Sequence, residues 1–101
     1  MFAIALSTAP ALAQPNATPA ERMATRAGEV IGAASACGVS EDRLVAVGRT
    51  VIEIIREVAR SPAELRKAQA AHERAVTLAA SRSEQGDCAT HVAAFERAEA
   101  N

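Results

Sequence analysis

The stretch Leu44 to Val58 (LVAVGRTVIEIIREV) holds most of the large apolar side chains in this chain. Leu44, Val47, Val51, Ile55 and Val58 recur at steps of three and four, the period of an α-helix. Val45, Ile52 and Ile54 widen that stripe, while Arg49, Glu53, Arg56, Glu57 and Arg60 occupy the opposite side. A helix with so broad an apolar face needs cover from more than one neighbour. The remaining segments are alanine-rich and amphipathic, so the expectation is an all-α protein whose other helices pack around this one.

Alanine sets the character of the core. Of the 101 residues, 26 are Ala, two are Phe, and none is Trp or Tyr. Alanine favours helix and lets helices approach closely, but it buries little area per residue. A core of this kind is thin, and a small domain built on it gains from a covalent staple. The net charge is −1 with both signs interspersed. That balance points away from nucleic acid and acidic membrane surfaces, and two aromatics leave little on which bases could stack.

Met1 to Ala13 (MFAIALSTAPALA) has a short apolar run followed by Ala11-Leu12-Ala13, the small-x-small pattern of a signal-peptidase site. The expected organisation is a signal peptide over 1–13, a flexible lead over 14–17 and a single helical domain over 18–101. Export to the periplasm or secretion follows. No later stretch reaches the roughly 20 apolar residues of a membrane span, so no insertion is expected after cleavage.

Helix boundaries are written in local chemistry. Thr18-Pro19-Ala20-Glu21 is a capping box with proline at the first helical position, predicting a helix from Pro19 to about Ala36. Met23, Ala27, Val30, Ile31 and Ala34 form one face of it; Ala20, Ala24, Gly28, Gly32 and Ala36 form a stripe of small residues four apart. That stripe suits close packing inside the fold, or a contact face for a protein partner or a second copy. Gly38 suits the left-handed position that ends a helix. Ser40 then caps a helix over Glu41–Arg60, with Glu41 and Asp42 in its first turn and Val39 and Leu44 placed as a hydrophobic staple. Ser61-Pro62-Ala63-Glu64 repeats the first box 43 residues later and predicts a sharp break, then a helix from Pro62 to about Glu84. Its inner stripe is Leu65, Ala68, His72, Ala75, Val76 and Ala79. Gly86 closes it, and Asp87 caps a last helix from Cys88 to about Ala98, with Val92 and Phe95 facing in. The predicted fold is a small four-helix up-down bundle of two hairpins.

Two cysteines in an exported chain ordinarily pair. In an up-down-up-down bundle the first helix ends at the pole where the fourth begins, so Cys37 and Cys88 meet there. The absence of a Cys-x-x-Cys motif argues against a redox role for Cys88.

Other chemistry is sparse. His72 and His91 are the only histidines, and His72-Glu73 lacks the second histidine of a zinc-protease helix. They are weak metal candidates, and no cofactor is expected. There is no glycine-rich phosphate loop and no Gly-x-Ser-x-Gly elbow. The acids read as caps or as surface partners of arginine, such as Arg49/Glu53, Glu53/Arg56 and Glu57/Arg60. No catalytic constellation emerges, so the chain is not expected to be an enzyme.

With Cys37, Cys88 and Phe95 shortly after the second cysteine, the plan is loosely similar to the small acid-stress chaperones of the bacterial periplasm, the HdeA type. These are also short exported helical proteins with one long-range disulfide. The acidic and aromatic residues that follow the first cysteine in that family are missing here, as are its tryptophans, and no functional residue is carried over. The expected function is a non-catalytic binding or accessory module acting through a helix surface. The alternatives are a stress chaperone of that design, exposing Val51, Ile52 and Ile55 on loosening, or a carrier of a small apolar ligand.

Overall fold

A computed structural model describes residues 16–82 and 87–101. The expected signal peptide, the start of the lead, the end of the third helix beyond Arg82 and the closing Gly86 lie outside the described residues. Four helices make up the fold: α1 (Pro19–Ala36), α2 (Glu41–Val58), α3 (Pro62–Arg82) and α4 (Cys88–Ala100). They form a small all-α bundle joined by the Cys37–Cys88 disulfide. Among the described residues, no helix is long and apolar enough to cross a membrane.

The predicted caps form, with one exception. Thr18 Oγ1 accepts from the Glu21 N–H at 3.1 Å, and the Thr18 N–H donates to Glu21 Oε1 at 2.9 Å, a reciprocal box. Ser61 Oγ accepts from the Glu64 N–H, and Asp87 accepts from the Ala89 and Thr90 N–H groups. Ser40 occupies the cap position of α2 but makes no side-chain capping bond. Gly38 takes φ +92°, the left-handed geometry that lets the chain leave α1 and enter α2 within a few residues. Helix α2 stops at Val58, two residues before the expected end, because Ala59 is already extended (ψ 135°) ahead of the Ser61–Pro62 break.

The packing centre is α1, not α2. Its most extensive contact is with α3, and it also touches α2 and α4; α2 meets α3 only lightly. The cause is side-chain size. A Cβ built on Gly28 would lie 2.6 Å from the His72 carbonyl oxygen and 2.8 Å from Ala75 Cβ. One built on Gly32 would collide with the Val76 carbonyl oxygen and Ala79 Cβ. Glycine at both positions lets the two backbones touch. Residue numbers rise together along the seam, Gly28 against His72 and Ala75, Gly32 against Val76 and Ala79, so α1 and α3 run parallel.

The larger apolar side chains fill two clusters on either side of Val51. One gathers Ala20, Ala24, Ile55 and Ala68, with Met23, Ile52 and Leu65 packed on it. The other gathers Ile31, Ala34, Val47 and Phe95, with Val30, Val39, Leu44 and Val76. Phe95 and Ile55 are the largest fully buried side chains. Helix α4 is held by three features: the disulfide, Phe95, and Arg43 of α2. Arg43 donates through Nε and Nη2 to both Glu99 carboxylate oxygens at 2.9 and 2.7 Å, and its guanidinium lies 5.5 Å from the centre of the Phe95 ring. That hydrogen bond holds the Glu99 carboxyl below its usual range. The short-range pairs expected along α2 are not formed; among the described residues the other ion pairs are Arg43–Glu96 and Arg60–Glu64.

Candidate functional site

The small-residue stripe is spent inside the chain. Ala20, Ala24, Gly28 and Gly32 are buried, with α3 lying along Gly28 and Gly32; only Ala36, at the end of α1, is exposed. Four of the five residues of the contact face expected at Ala20, Ala24, Gly28, Gly32 and Ala36 are thus taken up in packing between helices, and a partner could reach those four only by displacing the helices that cover them. The physical reason lies in α3: Ala68, Ala71, Ala75 and Ala79 form a complementary small stripe, and two such surfaces close on each other.

The surface that remains uncovered belongs to α2. With α1 committed to α3, α2 has too few neighbours for its wide apolar face. Only Val47 and Ile55 are buried in it, while Val45 is 49 % and Ile54 41 % exposed. Val45 stands at an open groove of about 580 Å³ between α1, α2 and α3. Ile31, Val39, Leu44 and Val76 line it with Val45, and Ser35, Glu41 and His72 add polar groups. Gly48 also faces it, and a Cβ there would meet nothing within 4 Å, so this glycine leaves space in the groove rather than serving a close backbone approach. The volume falls in the range of small-ligand and side-chain pockets. An apolar group would find aliphatic walls there and a few polar atoms to orient it.

His72 is the one buried polar residue of the described core, 9 % exposed, and its Nε2 has neither a hydrogen-bond partner nor contact with solvent. Burial lowers its pKa from the ordinary histidine value, and the nearby Glu73 carboxylate offsets this in part. The neutral imidazole is therefore the form that fits the fold. His91 sits one turn into α4 and is half-buried, with its N–H bonded to the Asp87 carbonyl. The two histidines lie on helices that barely touch. Among the described residues, no group of three His, Cys, Asp or Glu side chains is placed to hold a metal ion.

Set against protein-family profiles, curated proteins and solved structures, the chain has no match. Two features of the site escape sequence reasoning. The Gly48 gap had a signal, since a glycine interrupts the Leu44–Val58 stripe at a core-facing position. The clamp of Arg43 on Glu99 had none, because its partners lie 56 residues apart.

Proposed function

We propose that this chain is a small exported, non-catalytic binding module whose contact surface is the groove between α1, α2 and α3, and that it receives an apolar segment of a protein partner. One observation carries this reading: α2, the helix with the most large aliphatic side chains, leaves Val45 half exposed at the edge of an open groove that no other described element covers. Apolar surface gathered at a concavity favours association in proportion to the area it removes from water. A photo-crosslinking residue at Val45, expressed in the host, is expected to give a discrete adduct, and one at exposed Arg97 on α4 is not. Gly48→Leu, which fills the groove where there is room for it, is expected to abolish the adduct without lowering the melting temperature. Equal labelling from positions 45 and 97 would sink the proposal. An adduct of twice the chain's mass identifies the partner as a second copy.

His72 favours a second reading, an acid-responsive chaperone. Its folded pKa lies below the unfolded one, so below the ordinary histidine pKa the unfolded chain binds more protons than the folded chain. The stability associated with neutral His72 is complete above about pH 6.5 and is lost as pH falls through the folded pKa. The melting temperature is expected to drop between pH 7 and pH 5, before most carboxylates titrate, and His72→Leu is expected to flatten that slope. Protection of an aggregating client that appears on acidification, and that His72→Leu shifts to lower pH, would favour the chaperone over a constitutive binder. A slope unchanged in His72→Leu removes His72 from the account.

A further inference from the structure

A second groove lies on the other flank of the α1–α3 seam, distinct from the one at Val45, and its lining is cationic. Arg22 and Arg26 of α1 face Arg74 and Arg82 of α3 across about 380 Å³. Four of the chain's ten arginines thus gather in one place, although the chain as a whole is slightly acidic. Elsewhere Arg43 and Arg60 are matched to Glu99 and Glu64, but no ion pair forms at these four among the described residues. Two acids line the same groove. Glu21 is turned toward the Thr18 N–H as part of the capping box, and Glu29 forms no ion pair within 4 Å. Arg22 spends one donor on the Ala17 carbonyl oxygen at 2.6 Å. Like charges one helical turn apart, as at Arg22 and Arg26, oppose folding slightly, and neither of the two carboxylates in the groove closes an ion pair with them.

The groove is not purely polar. Leu78, 51 % exposed and the most exposed large hydrophobic residue among the described ones, lies between Arg74 and Arg82, one turn from each. Ala71 and Ala75 continue the apolar strip beside it. Guanidinium groups around aliphatic carbon match a ligand with an anionic head and an apolar body. The head would take charge-assisted, two-pronged hydrogen bonds from arginine, and the body would cover Leu78.

We propose that the Arg22/Arg26/Arg74/Arg82 groove binds a free single-chain amphiphilic anion, with a carboxylate or phosphate head between the arginines of α1 and α3 and its chain along Leu78. This site is independent of the α2 groove, so either can fail without the other. The test uses the mature chain with its disulfide intact and dodecanoate below its micellar concentration. Binding is followed by calorimetry and by amide shifts in a ¹H–¹⁵N spectrum. Dodecanoate is expected to move the Ala71, Ala75 and Leu78 amides. Dodecanol, which lacks the charge, and inorganic phosphate, which lacks the chain, are each expected to bind at least about tenfold more weakly. The double variant Arg26→Gln/Arg74→Gln is expected to lose about tenfold in affinity with its thermal melt unchanged, and Leu78→Gln to weaken dodecanoate but not phosphate. Equal binding of dodecanol, unchanged affinity in the double variant, shifts confined to α2, or binding to anionic phosphatidylglycerol vesicles without binding of the free amphiphile would each overturn the assignment.

Discussion

Gly32→Ala is expected to destabilise the protein by about 2–3 kcal/mol in urea denaturation, against the usual direction of glycine-to-alanine changes inside helices. In an open helix the change stabilises by about 1 kcal/mol, because alanine loses less backbone entropy on folding. At Gly32 the new methyl meets the Val76 carbonyl oxygen and Ala79 Cβ. Neither is the far end of a flexible side chain. The collision can be relieved only by moving α3 bodily away from α1, which opens the most extensive contact in the fold. Gly28→Ala is expected to act in the same direction, since its methyl would lie 2.6 Å from the His72 carbonyl oxygen. Gly48→Ala supplies the control: its Cβ meets nothing within 4 Å, so it is expected to stabilise by about 0.5–1 kcal/mol. If Gly32→Ala and Gly48→Ala shift stability in the same direction, α1 and α3 are not in backbone contact and the account of the seam is wrong.

Removing the disulfide, by Cys37→Ser together with Cys88→Ser, is expected to cost about 4 kcal/mol, on the chain-entropy account of a 51-residue separation. For a domain of this size that corresponds to a fall in melting temperature on the order of 20 °C. The two Cα atoms stand 5.5 Å apart, a span the bond takes up without moving the backbone. The loss is expected to be uneven. Helix α4 is 13 residues long, packs chiefly on α1, and buries one large side chain, Phe95. A helix of that length is marginal by itself in water. Hydrogen exchange should therefore show α4 amides losing protection first, ahead of the α1–α3 seam. The Arg43–Glu99 clamp will not hold it, because both side chains are solvent-exposed and such pairs contribute at most about 1 kcal/mol. Uniform loss of protection across all four helices would instead show that α4 is integral to the cooperative unit.

Much of the fold is legible in the chain because it depends on neighbours in sequence. Thr18 and Glu21, Ser61 and Glu64, and Asp87 with Thr90 make their capping bonds within three residues, and Gly38 needs only its own missing Cβ. The meeting of Cys37 and Cys88 follows from helix order and a closed bundle. Ser40 shows the limit of this reasoning, because its position starts a helix but its hydroxyl makes no capping bond. The candidate site depends less on neighbours in sequence. The period of α3 puts His72 on its inner face, where it is buried, and the small stripe of α1, which reads first as packing surface and second as partner face, packs against α3 at Gly28 and Gly32.

Sequence by itself determined the helices, their starts, the cysteine pairing and the alanine character of the core, since each rests on short-range geometry, on helix order or on composition. Only the tertiary structure decided which helix sits at the centre. Leu44–Val58 has the largest apolar surface and reads as the hub, yet Gly28 and Gly32 let α3 approach α1 so closely that α1 becomes the hub. Helix α2 is left with uncovered apolar flanks at Val45 and Ile54, and His72 is enclosed without a partner for Nε2. Hydrophobic content sets how much surface a helix gains by burying, whereas side-chain size sets how near two backbones can come, and here the second effect chose the neighbours.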